Sequence, residues 1–331
     1  MVYQADKKRY ESMDYDYCAG SGLKLPKVSL GFWHNFGDSA DYETMKAMCR
    51  TAFDHGITHF DLANNYGPPD GSAEINAGRI LKEDFGPYRD ELIISSKAGY
   101  FMWDGPYGNG GSRKYLMASL DQSLRRLGLD YVDIFYHHRP DPETPLEESM
   151  NALADIVKSG KALYVGISNY NGKQTKEAQK IMQDLGVPLI LNQSRYSIFD
   201  RRAEKEGLTK MNQKGEMSLI SYSPLAQGLL TDRYLNGIPE DSRVRTDGRF
   251  LSEDAITDEK IEKARALKKI ADARGQTLAA MALAWVLADN KSLSVLVGAS
   301  RPEQILENLK AAENRSFSEE ELKKIDEISL G

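Results

Sequence analysis

The chain has 331 residues, 41% of them hydrophobic and 28% charged, with a formal charge of −6 at neutral pH. These proportions are ordinary for a globular protein and exclude a disordered, collagen-like or disulfide-scaffold chain. The acidic balance also excludes a broad electrostatic footprint for nucleic acid, so a phosphate group would have to be held locally.

In chain order, residues 12–27 read as a β-hairpin, with Gly20-Ser21-Gly22 at its turn, plugging the N-terminal end of the structure that follows. Short apolar runs rich in Val, Ile, Tyr and Phe then recur at 28–33, 58–61, 92–97, 131–137, 163–168, 189–193, 218–221 and 294–297, and predict strands. Longer segments between them carry helical spacing. Met45, Met48, Ala52 and Phe53 share one face of 42–55, and Leu116, Leu120, Leu124 and Leu127 share one face of 115–127. Gly56, Gly86, Gly128, Gly160 and Gly186 follow candidate helices, where a left-handed residue caps at little cost. A charged helix over 318–327 ends the pattern. Loops at 98–113 and 225–257 are long enough to be functional.

Strands alternating with helices predict parallel βα units. An open doubly-wound sheet and a closed (β/α)8 TIM barrel compete. The open form with a dinucleotide carries G-x-G-x-x-G between a strand and a helix. Here Gly20-Ser21-Gly22 lacks the third glycine, and the glycines of 108–111 sit in a long loop. The count of eight strands favours the barrel, with 1–331 as one domain, an N-terminal hairpin, and extended loops after strands three and seven.

The active site of such a barrel is built at the C-terminal ends of its strands. Asp61 ends strand two, Lys97 strand three, and His137 and His138 strand four, with Tyr66 five residues beyond Asp61. Alone, Asp61 reads as a helix cap, Lys97 as half of a structural ion pair, and Tyr66 as a packing aromatic. Together they form a mechanism. An ammonium beside a tyrosine favours phenolate, and a carboxylate holds the ammonium in place. Such a tyrosine can protonate a developing alkoxide while a histidine orients the carbonyl. Carbonyl reduction by hydride from a nicotinamide is the chemistry this suits. A metal-dependent hydrolase has only the His137-His138 pair behind it, and neighbouring strand residues face opposite ways. By the same alternation His137 is expected to be structural.

The segments 56–67 (GITHFDLANNYG), 93–99 (IISSKAG), 127–133 (LGLDYVD), 160–168 (GKALYVGIS), 222–228 (YSPLAQG) and 298–308 (GASRPEQILEN) resemble, in order, the motifs of the aldo-keto reductases. The resemblance covers essentially the whole chain and is strongest to the branch of potassium-channel β subunits and L-glyceraldehyde 3-phosphate (methylglyoxal) reductases. It implies a catalytic tetrad of Asp61, Tyr66, Lys97 and His138. His138 is preferred to His137 because it directly precedes Arg139-Pro140. Some channel β subunits carry Asn at this position, so His138 favours a working reductase over a nicotinamide-binding regulatory subunit.

The resemblance further implies a nicotinamide site with Ser168, Asn169 and Gln193 on the carboxamide and Tyr222 stacked on the ring. Gly31, Phe32 and Trp33 would border the cofactor, and the loop of Ser223, Pro224, Leu225, Gln227 and Gly228 would wrap the pyrophosphate. Gly298, Ser300, Gln304, Glu307 and Asn308 match the adenosine site. Their offsets from Ser300 of 4, 7 and 8 put the last three on one helix face. Arg233 and Arg243 align with contacts to the 2′-phosphate and pyrophosphate, implying NADPH/NADP+, and Arg301 is a further candidate. Read alone, these arginines belong to a solvated charge run. Trp33, His34, Tyr66, Tyr100, Trp103, His138 and Arg139 are the candidate substrate pocket, suited to a small aldehyde; for the aromatic residues among them, packing is the alternative.

Two cysteines, Cys18 and Cys49, read as ordinary thiols of a reducing compartment. The first ten residues are polar, without the apolar stretch of a secretory signal, and no run reaches the ~18 apolar residues of a membrane helix. The expectation is a cytoplasmic protein with no membrane or nucleic-acid partner. The resemblance adds a homo-oligomer, tetramer or octamer.

Overall fold

The computed structural model describes residues 3–240, 242–246, 254 and 256–331; the side chains of Arg243, Thr246 and Ala312 lie outside what is described. Two strands, β1 (Tyr15–Tyr17) and β2 (Lys24–Pro26), pair antiparallel as the expected hairpin. Eight more, β3 (Val28–Gly31), β4 (His59–Asp61), β5 (Ile93–Ala98), β6 (Val132–His137), β7 (Ala162–Ser168), β8 (Leu189–Arg195), β9 (Ser218–Tyr222) and β10 (Ser294–Val297), close into a barrel in chain order. All barrel pairings are parallel, and β10 returns to β3 to complete the ring. The open sheet is thereby excluded.

Alternation along each strand separates the two cores. On β6, Ile134 and Tyr136 belong to the cluster inside the barrel, while Phe135 between them packs outward against the helices. Register extends the inner face sideways, because Ser95 pairs with Ile134 and Lys97 with Tyr136. At the N-terminal end, Cys18 and Leu25 of the hairpin region are buried in the inner cluster with Ile190, Ile220 and Leu293, so the hairpin plugs that end. Ala19 N–H donates to Ser218 Oγ at 2.8 Å, tying the hairpin to β9.

Helices cover the outside, and local sequence explains their limits. Tyr42–Asp54 begins at Asp41, whose side chain accepts from Thr44 N–H, and it buries Met45, Met48, Ala52 and Phe53 as their spacing predicts. Arg113–Leu127 begins at Ser112 and ends at Gly128, which is left-handed at φ 67°. Leu278–Leu287 is buried along its whole length, an apolar helix without a polar face. The C-terminal helix runs Glu319–Leu330 behind a Ser318 capping box and ends three residues later than expected. Strand ends shift by up to two residues: β3 stops at Gly31, whereas β8 continues to Arg195.

Gly56, Gly160 and Gly186 also have left-handed backbones, but Gly86 does not. Its φ is −49°, and the chain continues from the π-turn Leu81–Phe85 into the 3-10 turn Gly86–Glu91. Pro87 at the start of that turn favours continued helical φ, so no left-handed stop is needed.

One inner glycine controls packing. Gly166 lies between Tyr136 and Leu191 in register, and a Cβ there would sit 2.5 Å from Tyr136 Cε1. Gly166→Ala should lower the urea midpoint, with a loss of about 1–3 kcal/mol for overpacking. An unchanged midpoint would mean the tyrosine ring moves aside freely.

Candidate active site

Adjacent strands β4 and β5 bring the first three groups together. Lys97 Nζ donates to Asp61 Oδ2 at 2.6 Å, to the Leu62 carbonyl at 2.6 Å and to Tyr66 Oη at 3.4 Å. An ammonium has three protons, so every donor of this fully buried lysine is used. Asp61 Oδ1 accepts from Ser95 Oγ at 2.7 Å and from Gln193 Nε2 at 3.1 Å. His138 closes the group from the residue just past β6, its ring edge-on to Tyr66 at 6.0 Å and to Tyr100 at 4.7 Å between centroids.

The electrostatics differ in one respect from the sequence expectation. Burial pushes the Tyr66 hydroxyl well above the ordinary tyrosine range, and the Asp61 carboxylate adds to the rise. Burial likewise lowers Lys97, against the opposing pull of Asp61. The ammonium 3.4 Å from Tyr66 is largely offset by the carboxylate it holds, so the pair does not drive the phenol to phenolate. Tyr66 keeps its proton at neutral pH. Burial, followed by the Lys97 charge, holds His138 well below its usual range, so it is a neutral imidazole, and its Nδ1 is buried without a partner.

His137 faces outward, as alternation requires, with Nδ1 2.7 Å from Tyr170 Oη. His59 is buried beneath the site, between Ser29 Oγ and Ser95 Oγ at 3.0 Å each, and so braces the serine that donates to Asp61. Burial pushes both imidazoles down to about 4, from 6.5 in an unfolded chain. Between those values the unfolded chain binds more protons, so stability is present above pH 6.5 and is lost as the pH falls toward 4. Urea titrations at intervals from pH 7 to 4.5 should show this loss, on the order of 3 kcal/mol per histidine. His137→Gln should flatten the curve relative to the wild type. Parallel curves would show that burial of neutral His137 contributes nothing.

Above these groups opens a cleft of about 1030 Å³, running from Asp61, Tyr66 and His138 to Glu307 and Asn308. Gly31, Trp33, His34 and Tyr100 line its mouth. Tyr115 sets the mouth loop by donating its hydroxyl to the Tyr100 carbonyl. Ser168, Asn169, Gln193 and Tyr222 form one network along the wall. In it Tyr222 Oη donates to Asn169 Oδ1 at 2.8 Å, Asn169 Nδ2 to Ser168 Oγ at 3.1 Å, and Ser168 Oγ to the Gln193 carbonyl at 2.9 Å. Beyond them Ser223, Pro224, Leu225, Gln227 and Gly228 line the next stretch. There Ser223, Ala226, Gln227 and Gly228 all have positive φ, from 48° to 100°. Consecutive turns of this kind aim backbone N–H groups into a concavity that accepts anionic oxygen. Gly298, Ser300, Gln304, Arg233 and Arg301 line the far end with Glu307 and Asn308. A site with an amide-rich wall, an anion-accepting middle and a polar far end fits a nicotinamide dinucleotide and leaves room for a small substrate.

Three expected positions lie elsewhere. Phe32 is buried in the outer core, stacked on Phe36 with centroids 3.8 Å apart, because the strand ends at Gly31 and its ring turns from the mouth. Trp103 packs on Tyr115 at 5.2 Å instead of lining the cleft. Arg139 donates to the Gly99 carbonyl at 2.9 Å and to Asn109 Oδ1 at 3.1 Å, so it braces the loop after β5. Arg243 begins the short helix Arg243–Thr246, but its side chain is outside the described part. Sequence reading missed Ser95, Asn35 and Arg195. Ser95 and Arg195 stand two residues from Lys97 and Gln193, and period-two alternation would have placed them on the same inner face.

The description "Aldo/keto reductase family" matches residues 27–330. The chain is 56% identical over 330 residues to an L-glyceraldehyde 3-phosphate reductase of Escherichia coli O157:H7, covering 99% of this chain and 95% of the relative. It is 38% identical to a probable voltage-gated potassium channel subunit beta of Arabidopsis thaliana, over 91% of this chain and 92% of the other. Among solved structures it is similar to a thermostable aldo-keto reductase in complex with the inhibitor epalrestat, with a TM-score of 0.75 and 32% identity, covering 96% of this chain and all of that one. The chain belongs to the aldo/keto reductase family and is an oxidoreductase.

Proposed function

We propose that this aldo/keto reductase, acting through residues 1–331 as one domain, uses NADPH to reduce small aldehydes to primary alcohols. L-glyceraldehyde 3-phosphate and methylglyoxal are the leading candidates. The observation that carries the reading is the fully buried Lys97, spending its three protons on Asp61, Leu62 and Tyr66 at the floor of the cleft. When bound, the reduced nicotinamide supplies the hydride. Tyr66 transfers its hydroxyl proton to the carbonyl oxygen as that oxygen becomes an alkoxide. Lys97 and Asp61 hold Tyr66 in place and balance the charge left on it. His138 orients the carbonyl oxygen by hydrogen bonding.

Ser168, Asn169 and Gln193 would hold the carboxamide, Tyr222 the ring, and the turn at 223–228 the pyrophosphate. Arg233, which lines the far end of the cleft, supports NADPH over NADH, because guanidinium groups chelate phosphate through paired hydrogen bonds, and the family resemblance adds Arg243 to it. The test is oxidation of NADPH, and of NADH in parallel, by the purified chain with either aldehyde, followed by loss of the reduced-nicotinamide absorbance. Turnover with a preference for NADPH is expected. Tight NADPH binding without turnover of either aldehyde would instead favour a regulatory subunit, the role suggested by the name of the Arabidopsis relative.

A further inference from the structure

The inner face of β8 continues past Gln193 to Arg195, which lines the same cleft and pairs in register with Tyr222 of β9. Its guanidinium carbon lies 6.0 Å from the Tyr222 ring centroid. The arginines nearby have protein partners. Arg139 is bonded to Gly99 and Asn109, Arg201 to Glu204 and Asp326, and Arg202 takes both oxygens of Asp200. Among the described residues Arg195 donates no hydrogen bond and meets no carboxylate within salt-bridge distance, and its Nε is buried without a partner. A guanidinium is always charged, and a buried N–H left without an acceptor costs free energy, so the Arg195 Nε–H in the cleft wall is suited to an acceptor that a ligand brings.

Position selects the ligand. Gln193, two residues earlier on the same face, is bonded to Asp61 at the level of the proton-donating groups. Two residues of strand rise separate that level from Arg195 by roughly 6.6 Å. This is comparable with the span from carbonyl to phosphoryl group in a three-carbon phosphate. The cofactor's own phosphates are left the turn at 223–228 in the middle of the cleft and Arg233 and Arg301 at its far end.

We propose that Arg195 is a specificity-determining residue that binds the phosphate of a short phosphorylated aldehyde through its guanidinium fork. This rests on the reductase reading above and deepens it. It gives the enzyme a reason to prefer the phosphorylated triose to methylglyoxal, which has no anion to offer.

The test compares wild type with Arg195→Gln and Arg195→Lys in two measurements. First, the ratio of kcat/KM for glyceraldehyde 3-phosphate to kcat/KM for glyceraldehyde should fall about 10- to 100-fold in Arg195→Gln, the range for losing a charged hydrogen-bond pair. Second, glycerol 3-phosphate, which carries the anion but no carbonyl, is titrated calorimetrically into the NADP+ complex. Wild type should bind it, Arg195→Gln should bind at least tenfold more weakly, and Arg195→Lys should fall between, keeping the charge without the fork. The proposal is overturned if wild type does not bind glycerol 3-phosphate, if the ratio and affinity are unchanged, or if the loss appears in NADPH affinity instead. If wild type turns over neither aldehyde yet binds glycerol 3-phosphate through Arg195, the anion site stands and the reductase reading fails. If both aldehydes are reduced with an unaltered ratio, the reverse holds.

Discussion

Tyr66→Phe should lower kcat for aldehyde reduction by about 10²- to 10⁴-fold, the usual contribution of a positioned general acid. The substitution removes one hydroxyl and keeps the ring that sits edge-on to His138, so cofactor affinity, measured by fluorescence titration, should change little. The direction of the Tyr66 shift gives the wild type a second signature. Because burial and Asp61 raise the hydroxyl well above the ordinary tyrosine range, the proton donor stays loaded through neutral and mildly alkaline pH. Reduction should therefore hold its rate as pH rises across that range. The reverse reaction needs the phenolate as base, so alcohol oxidation should accelerate by about tenfold per pH unit while Tyr66 remains mostly protonated. A Tyr66→Phe enzyme with wild-type kcat would remove Tyr66 from the proton transfer. A flat oxidation profile would mean that a different step limits the reverse direction.

The barrel was legible because its signals are periodic and repeated. Eight short apolar runs alternating with helical faces leave few topologies, and no single boundary has to be right. Strand ends were less legible, since whether β3 stops at Gly31 or β8 runs on to Arg195 depends on pairing with a neighbour. The same limitation explains the site. Asp61, Lys97 and His138 announce themselves because charged or polar groups end apolar strands. Phe32, Trp103 and Arg139 are residue types that serve as well in packing as in binding, and only their neighbours decide: Phe36, Tyr115 and the Gly99 carbonyl, respectively. The ionisation of Tyr66 was misjudged from sequence for a related reason. Proximity of a lysine was readable, but the depth of burial, and the carboxylate already neutralising that lysine, were not.

The Asp61–Lys97 pair separates folding from catalysis when its members are replaced singly and together. Lys97→Met leaves the Asp61 carboxylate buried with its Ser95 and Gln193 donors but without a counter-ion. Breaking a buried pair from one side costs about 3–5 kcal/mol, and the two remaining hydrogen bonds argue for the lower end. Asp61→Asn leaves a buried ammonium with the Leu62 carbonyl as its strong acceptor. The lysine, already lowered by burial, then loses the group that raises it and can shed its proton, so this variant should be the milder of the two in urea unfolding. The double variant Asp61→Asn with Lys97→Met has no uncompensated charge, and should recover much of the stability lost by Lys97→Met, since replacing a whole buried pair is often neutral. Activity should not follow. Without the ammonium at Tyr66, the charge left on the phenol after proton transfer has no balance, so kcat stays low in every combination. Recovery of kcat alongside the urea midpoint in the double variant would show that the pair serves only the fold. Recovery of the midpoint alone assigns Lys97 its place in the proton transfer.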